Sequence, residues 1–238
     1  MPKILIIRFS SIGDIVLTTP VFRCIKNQVP GAEVHLVTRS SYRQVTEHNH
    51  NIDKFFYLQD NLAVLINDLK LEQYDYVVDL HNNLRSLRIK RALGKKSFTV
   101  KKLNVEKFLL TNLNINIMPP VHITTRSLAA VAALGVTDDG LGLDYFIPAK
   151  DVVAVDDIPT SHAAGFIAIV IGATYETKKM PVSKLQELCR KIDHPLILLG
   201  GPEDSFNGDL IASVDPVKVY NACGKFNLNE SADLLRQS

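Results

Sequence analysis

With 238 residues, 46% of them hydrophobic and 22% charged, the chain has the make-up of a folded protein of one large or two small domains, not of a disordered segment or a disulfide scaffold. A formal net charge of +2 defines no partner, and Cys24, Cys189 and Cys223 stand far apart with no CxxC pair, so neither a disulfide framework nor a zinc site is expected. No apolar run approaches the roughly 20 residues of a membrane span and the first residues read as a strand rather than a leader, which makes the cytoplasm the expected compartment.

Short runs rich in Ile and Val alternate with longer amphipathic stretches along the chain, the pattern of parallel strands joined by helical crossovers, and the fold class is α/β. The first strand, Lys3–Ile7, runs into Arg8-Phe9-Ser10-Ser11-Ile12-Gly13-Asp14. A loop that cradles a pyrophosphate does so with backbone N–H groups, and the dinucleotide fingerprint needs three glycines at set spacing; this turn has one, and its aspartate would repel a phosphate. At the carboxyl end of the strand Asp14 faces the crevice where α/β sheets bind ligands. There it can take a proton from a sugar or other hydroxyl nucleophile, or it can simply cap the following turn.

Thr19-Pro20 then offers an N-cap with proline at the first helical position, and Phe22, Ile25 and Val29 recur at helical spacing until Pro30-Gly31. Further strands are expected at 33–37, 54–57, Tyr76–Asp79 and 97–100. The segment 85–107 holds nine of the 27 basic residues and one of the 25 acidic ones, Glu106, which leaves the rest of the chain net acidic. It reads as a solvated helix face or as a surface for an anion. Nucleic acid is not expected, because no aromatic residues interleave with the charges in a known binding motif.

A helix over 126–134 closes at Gly135. Residues 138–159 change character and carry the linker, giving domains at 1–155 and 160–238. The second series has strands at 166–171, 195–199 and 217–220, and Val182, Leu185, Cys189 and Ile192 mark a helix face between the first two. After 166–171 comes Gly172-Ala173-Thr174-Tyr175-Glu176-Thr177-Lys178-Lys179-Met180-Pro181, where lysine charge and the Thr174 hydroxyl suit a diphosphate, if the lysines are not merely solvated. Gly200-Gly201-Pro202-Glu203-Asp204 places a carboxylate where ribose hydroxyls bind in dinucleotide folds, or forms a plain turn. Asn229 or Ser231 is expected to cap a last helix that has barely begun. Three strands make a thin sheet, so the second domain is expected to be partial, a fragment or a docked half-domain.

The stretches RFSSIGDIVLTTPV, DLHNNLRS (79–86), GATYETKKMP and LGGPED occur in the order and spacing seen in the ADP-heptose:lipopolysaccharide heptosyltransferases, glycosyltransferase family 9, and the chain resembles that family along nearly its whole length. The resemblance implies a GT-B architecture of two facing Rossmann-like domains with parallel sheets, the C-terminal one incomplete. It implies inverting transfer of a heptose from ADP-heptose to a lipopolysaccharide core or other lipid-linked acceptor, with no metal or other cofactor. Asp14 is then the catalytic base, with Ser10, Ser11 and Gly13 shaping its loop on the acceptor side. Thr174 and Lys178 hold the donor diphosphate, and Glu203 lies near the nucleoside. An acceptor built on phosphorylated lipid is anionic, which makes Arg85 and Arg88, with Lys90 and Arg91, acceptor-side candidates. Contact with the anionic inner-membrane surface is a further implication, each Lys or Arg contributing about 1 kcal/mol. Met180 stands where the family carries an aromatic, which puts base or sugar packing there in question. The family's later Asp-Thr-Gly…His motif is missing from these residues, so the chain by itself is expected to be inactive. Another GT-B nucleotide-sugar enzyme with a different donor, and a non-catalytic nucleotide-binding fragment, stay open as alternatives.

Overall fold

Alternating Ile, Leu and Val build one parallel sheet in each half of the chain, as seen in a computed structural model that describes residues 1–238. The first unit, Met1–Phe146, contains in order β1 (Lys3–Ile7), α1 (Ile12–Val16), α2 (Thr19–Gln28), β2 (Glu33–Arg39), α3 (Arg43–Thr46), β3 (Lys54–Leu58), α4 (Leu62–Leu71), β4 (Tyr76–Asp79), α5 (Leu84–Leu93), β5 (Lys96–Thr99), α6 (Asn104–Leu113) and α7 (Ile123–Val131). Its strands pair in the order β3-β2-β1-β4-β5. β1 is central and buried from Ile4 to Ile7. Because successive strand residues point to opposite faces, Ile4 and Ile6 join Phe22, Ile25, Leu128 and Val131 in one core, while Leu5 and Ile7 join Leu65, Leu69 and Ile89 in the other.

The order of the strands also fixes where a site belongs. The chain runs outward from β1 to β2 and β3, then crosses back to β4 on the other side of β1. Ile7 consequently lies beside both Val37 and Asp79 in register. Connections leave β1 and β4 in opposite directions, and a crevice opens at their carboxyl ends.

The second unit, Ile147–Ser238, contains β6 (Ile167–Val170), α8 (Val182–Lys191), β7 (Leu196–Leu199), α9 (Ser205–Ala212), β8 (Val219–Asn221) and α10 (Leu228–Gln237), with strand order β6-β7-β8. Leu196 and Leu198 pack with Leu185, Cys189 and Ile211; Ile197 and Leu199 pack with Val153, Phe166 and Leu234. All three cysteines of the chain are buried and free. No helix is long and apolar enough to cross a membrane.

Several local expectations shift. The strand expected over 166–171 spans Ile167–Val170 and lies at the edge of its sheet, with Ile167 and Val170 exposed although the run is wholly apolar. Thr18, not Thr19, is the N-cap of α2. The helix expected from 126 begins at Ile123, and its last turn, 132–134, tightens to a 3-10 helix before Gly135 closes it at φ +79. α10 is a full ten-residue helix capped by Asn227, whose side chain accepts from the N–H groups of Asn229 and Glu230 while Glu230 accepts from Asn227 N–H.

The division between units falls after Phe146, inside the expected linker but ahead of residue 155. Residues 147–155 pack on the second unit because Val153 enters its core and donates its N–H to Asp233 at 2.9 Å. Residues 139–144 stay with the first because Arg23 on α2 holds them. Its buried guanidinium reaches Asp139 at 2.7 Å, Asp144 at 2.5 Å and the Gly142 carbonyl at 2.9 Å. Arg23→Ala leaves two carboxylates without a counter-charge, and urea titration is expected to show a loss of about 3 kcal/mol. Arg23 holds the Asp139 carboxyl well below the usual carboxylate range. This stabilisation is therefore complete above the unfolded value of about 4 and drains away as pH falls below it, and the variant lacks that acid dependence. A variant as stable as the parent would contradict the assignment.

Candidate functional site

At the carboxyl ends of β1 and β4, one side chain organises the crevice. The Arg8 N–H donates to the Val37 carbonyl at 3.0 Å, continuing the sheet one step past β1. Its guanidinium then donates to the Ser10 carbonyl at 2.9 Å and the Leu80 carbonyl at 2.5 Å, and pairs with Asp14 Oδ2 at 2.8 Å. Asp14 Oδ2 also accepts from the Ser11 N–H at 3.2 Å and the Ser11 hydroxyl at 3.1 Å. All of these contacts converge on Oδ2 and leave Oδ1 free of them. Asp14 thus does cap α1, and its second oxygen takes no part in these contacts, on a side chain that is 42% exposed. Burial raises its pKa, but Arg8 and the two Ser11 donors outweigh that, and the carboxyl titrates below its ordinary value. A Cβ on Gly13 would meet nothing within 4 Å, so this glycine leaves open space beside the carboxylate rather than relieving a clash.

The segment after β4 supplies the other wall. Asp79 is fully buried, accepts from the N–H groups of His81 and Asn82 at 3.1 and 2.7 Å, and pairs with Lys90 at 2.8 Å. Lys90 also donates to the Thr99 hydroxyl, so it is spent inside the fold and is not an acceptor-side residue. His81 meets Phe9 edge-on at 5.3 Å. Burial, with Arg8 and Lys102 nearby, pushes its pKa down to about 4, so its ring is neutral at neutral pH. Asn83 and Ser86 cap α5 reciprocally. Arg85, Arg88 and Arg91 stand exposed on that helix with no carboxylate in ion-pair range.

In the second unit a carboxylate plays the organising part. Asp204, buried after β7, accepts from the Gly201 N–H at 3.1 Å and pairs with Lys179 at 3.3 Å. A Cβ on Gly172 would lie 2.3 Å from Asp204 Oδ2, so only glycine lets the loop after β6 come this close. Lys179 is tied to Glu176 as well, at 3.2 Å, and Glu176 and Asp204 raise its pKa. Lys178 has no carboxylate partner. It is exposed, with its ammonium 5.6 Å from the centre of the Tyr175 ring. Thr174 is exposed in the same loop, and Glu203 is exposed in the next, close over Gly201.

The sequence reading reached Asp14 and both loops but did not single out Arg8, Asp79 or His81, nor the different fates of Lys178 and Lys179. An arginine directly after a buried strand was the available signal for Arg8. The partners of the two lysines depend on Asp204, more than twenty residues away, and no local pattern encodes them.

A profile described as "Glycosyltransferase family 9 (heptosyltransferase)" matches residues 62–238, leaving β1 and Asp14 outside the match. Over 210 residues the chain is 26% identical to lipopolysaccharide heptosyltransferase 1 of Campylobacter coli, a match covering 80% of this chain and 60% of that relative. The chain thus spans about 60% of the length of that curated relative. The crystal structure of a family 9 glycosyl transferase from Veillonella parvula superposes with a TM-score of 0.75 at 21% identity, over 99% of this chain and 73% of that one. The Escherichia coli heptosyltransferase WaaC, solved with ADP-2-deoxy-2-fluoro heptose, gives 0.70 at 19% identity, over 99% and 80%. These structures share the fold, two α/β units of the GT-B type.

Arg8→Ala removes the positive charge from Asp14, whose pKa is then expected to rise from its lowered value, because burial is opposed only by the two Ser11 donors. Carbon-detected NMR titration of the carboxyl reads this directly, and an unmoved Asp14 would contradict the clamp.

Proposed function

This chain belongs to glycosyltransferase family 9, the heptosyltransferases, and on that premise we propose that it serves the transfer of a heptose from ADP-heptose to a lipopolysaccharide core acceptor, in the cytoplasm, with inversion at the anomeric carbon. The observation that carries the reading is Asp14, a carboxylate held at a strand-switch crevice by Oδ2 with Oδ1 left open. The acceptor hydroxyl attacks the anomeric carbon, its proton passes to Asp14 as the new C–O bond forms, and the bond to the ADP leaving group breaks on the opposite face. Lys178 and the Thr174 hydroxyl meet the charge that builds on the departing diphosphate, and Glu203 accepts from the nucleoside hydroxyls. Ser10 and Ser11 fix the loop that carries the base. Arg85 and Arg88, exposed and unpaired, suit an anionic acceptor. The choice of donor and acceptor is supported by the relatives: one is a lipopolysaccharide heptosyltransferase, and another was solved with an ADP-heptose analogue.

Asp14→Asn is expected to lower kcat by about 10²–10⁴-fold while ADP affinity stays as in the parent. Because Asp14 must be deprotonated and its pKa is lowered, transfer by the parent should fall off only below about pH 4, the ordinary carboxylate value. Normal turnover by the Asn variant would refute the role.

A further inference from the structure

The two edges of the first sheet are guarded differently. β5, at one edge, carries Lys95 and Lys96 at its start and Lys101 and Lys102 past its end, with no acid between them. A second β5 laid antiparallel against it would set lysine against lysine, a common way of keeping an edge strand from pairing. β3, at the other edge, begins with Lys54 and is followed by Asp60, with Phe55-Phe56-Tyr57-Leu58-Gln59 between them. It carries no proline, and its outer row of backbone N–H and C=O groups has no partner strand.

The charges of β3 complement themselves. Antiparallel pairing with a second β3 about Tyr57 places Lys54 opposite Asp60 at both ends, Phe55 opposite Gln59 and Phe56 opposite Leu58. Asp60 is exposed and has no cation in ion-pair range. Lys54 is paired with Glu72, but its side chain is 51% exposed and Glu72 is also held by Lys3, so Lys54 can turn to a second carboxylate.

The shape of the edge agrees. Phe55, Phe56 and Tyr57 all line one groove of about 430 Å³, together with Val64 and Leu65 of α4. Successive side chains of a strand point to opposite faces, so a groove bordered by three in a row runs along the strand's edge, where another strand would lie. Beside it α4 leaves Val64 55% and Leu71 80% exposed, two apolar side chains seven residues apart and hence on one side of the helix. We propose that this face associates with a second copy of the chain, β3 against β3 in antiparallel, joining two five-stranded sheets into one across a two-fold axis. The partner is the chain itself because the open edge and the opposite charges at its two ends belong to the same strand. The inference rests on this edge alone and goes beyond the reaction proposed above, so either stands if the other fails.

Sedimentation equilibrium of the full chain from about 1 to 100 µM tests it. The parent is expected to form a dimer in that range, and salt to weaken it. Asp60→Lys and Lys54→Asp each set like charges opposite one another and should each weaken the dimer at least about tenfold, whereas an equal mixture of the two variants should associate nearly as tightly as the parent, since each then meets the opposite charge. Val64→Glu should break the dimer while circular dichroism stays that of the parent, because the side chain is exposed, and Lys96→Glu on the other edge should change nothing. A parent that stays monomeric throughout would overturn the proposal. So would a dimer indifferent to Asp60→Lys and Val64→Glu, or a mixture of the two charge variants no tighter than either alone.

Discussion

Arg8 stands one residue beyond the central strand of the first sheet, and what the crevice can do depends on where its guanidinium goes. By donating to the Ser10 and Leu80 carbonyls it ties the loop after β1 to the segment after β4, the two elements that part at the strand switch. With its remaining edge it holds Asp14. A carboxylate drawn below its ordinary pKa is a weaker base, but it is fully charged at neutral pH. In a direct displacement the proton moves only as the new bond forms, so full ionisation matters more than resting basicity. Arg8 is itself anchored to two backbone carbonyls, which fixes its charge beside the carboxylate. His81, kept neutral by burial and by the same arginine, adds no second positive charge to the crevice.

The second unit inverts this electrostatic plan. There the buried group is an anion, Asp204, and it draws two loops together by accepting from Gly201 and by lying against Gly172, where no side chain fits. Lys179 is consumed in neutralising Asp204 and Glu176, which leaves Lys178 with its charge unspent. One unit therefore presents a carboxylate held by a cation, and the other presents a cation beside a carboxylate already satisfied. A transfer from an activated phosphate donor to a hydroxyl needs these two environments, one attractive to phosphate and one able to receive a proton.

Much of this was legible in the residues. Short runs of Ile, Leu and Val located β1, β2, β4 and β7 most clearly, because a buried parallel strand has no polar face to blur its pattern. The carboxylate in the first turn stood out because a phosphate loop would exclude it. Edge status was not legible: nothing in Phe166-Ile167-Ala168-Ile169-Val170-Ile171 distinguishes an edge from a centre, since that depends on which strand comes to lie beside it. The domain boundary was blurred for a similar reason. Acidic and apolar residues run through the whole of 138–159 without marking where one unit ends, and only Arg23 on one side and the Val153 and Asp233 contacts on the other assign its parts. The separate fates of Lys178, Lys179 and Lys90 follow from Asp204 and Asp79, long-range partners that propensity and periodicity do not report.

The central claim is that the two chemical tasks are divided between the units, with the donor diphosphate on the Lys178 loop and the acceptor proton on Asp14. Calorimetric titration of ADP into the parent chain, Lys178→Ala and Asp14→Asn tests this most directly. The account expects binding that Lys178→Ala loses and Asp14→Asn retains; equal affinity in the parent and Lys178→Ala, or loss in Asp14→Asn, would contradict it.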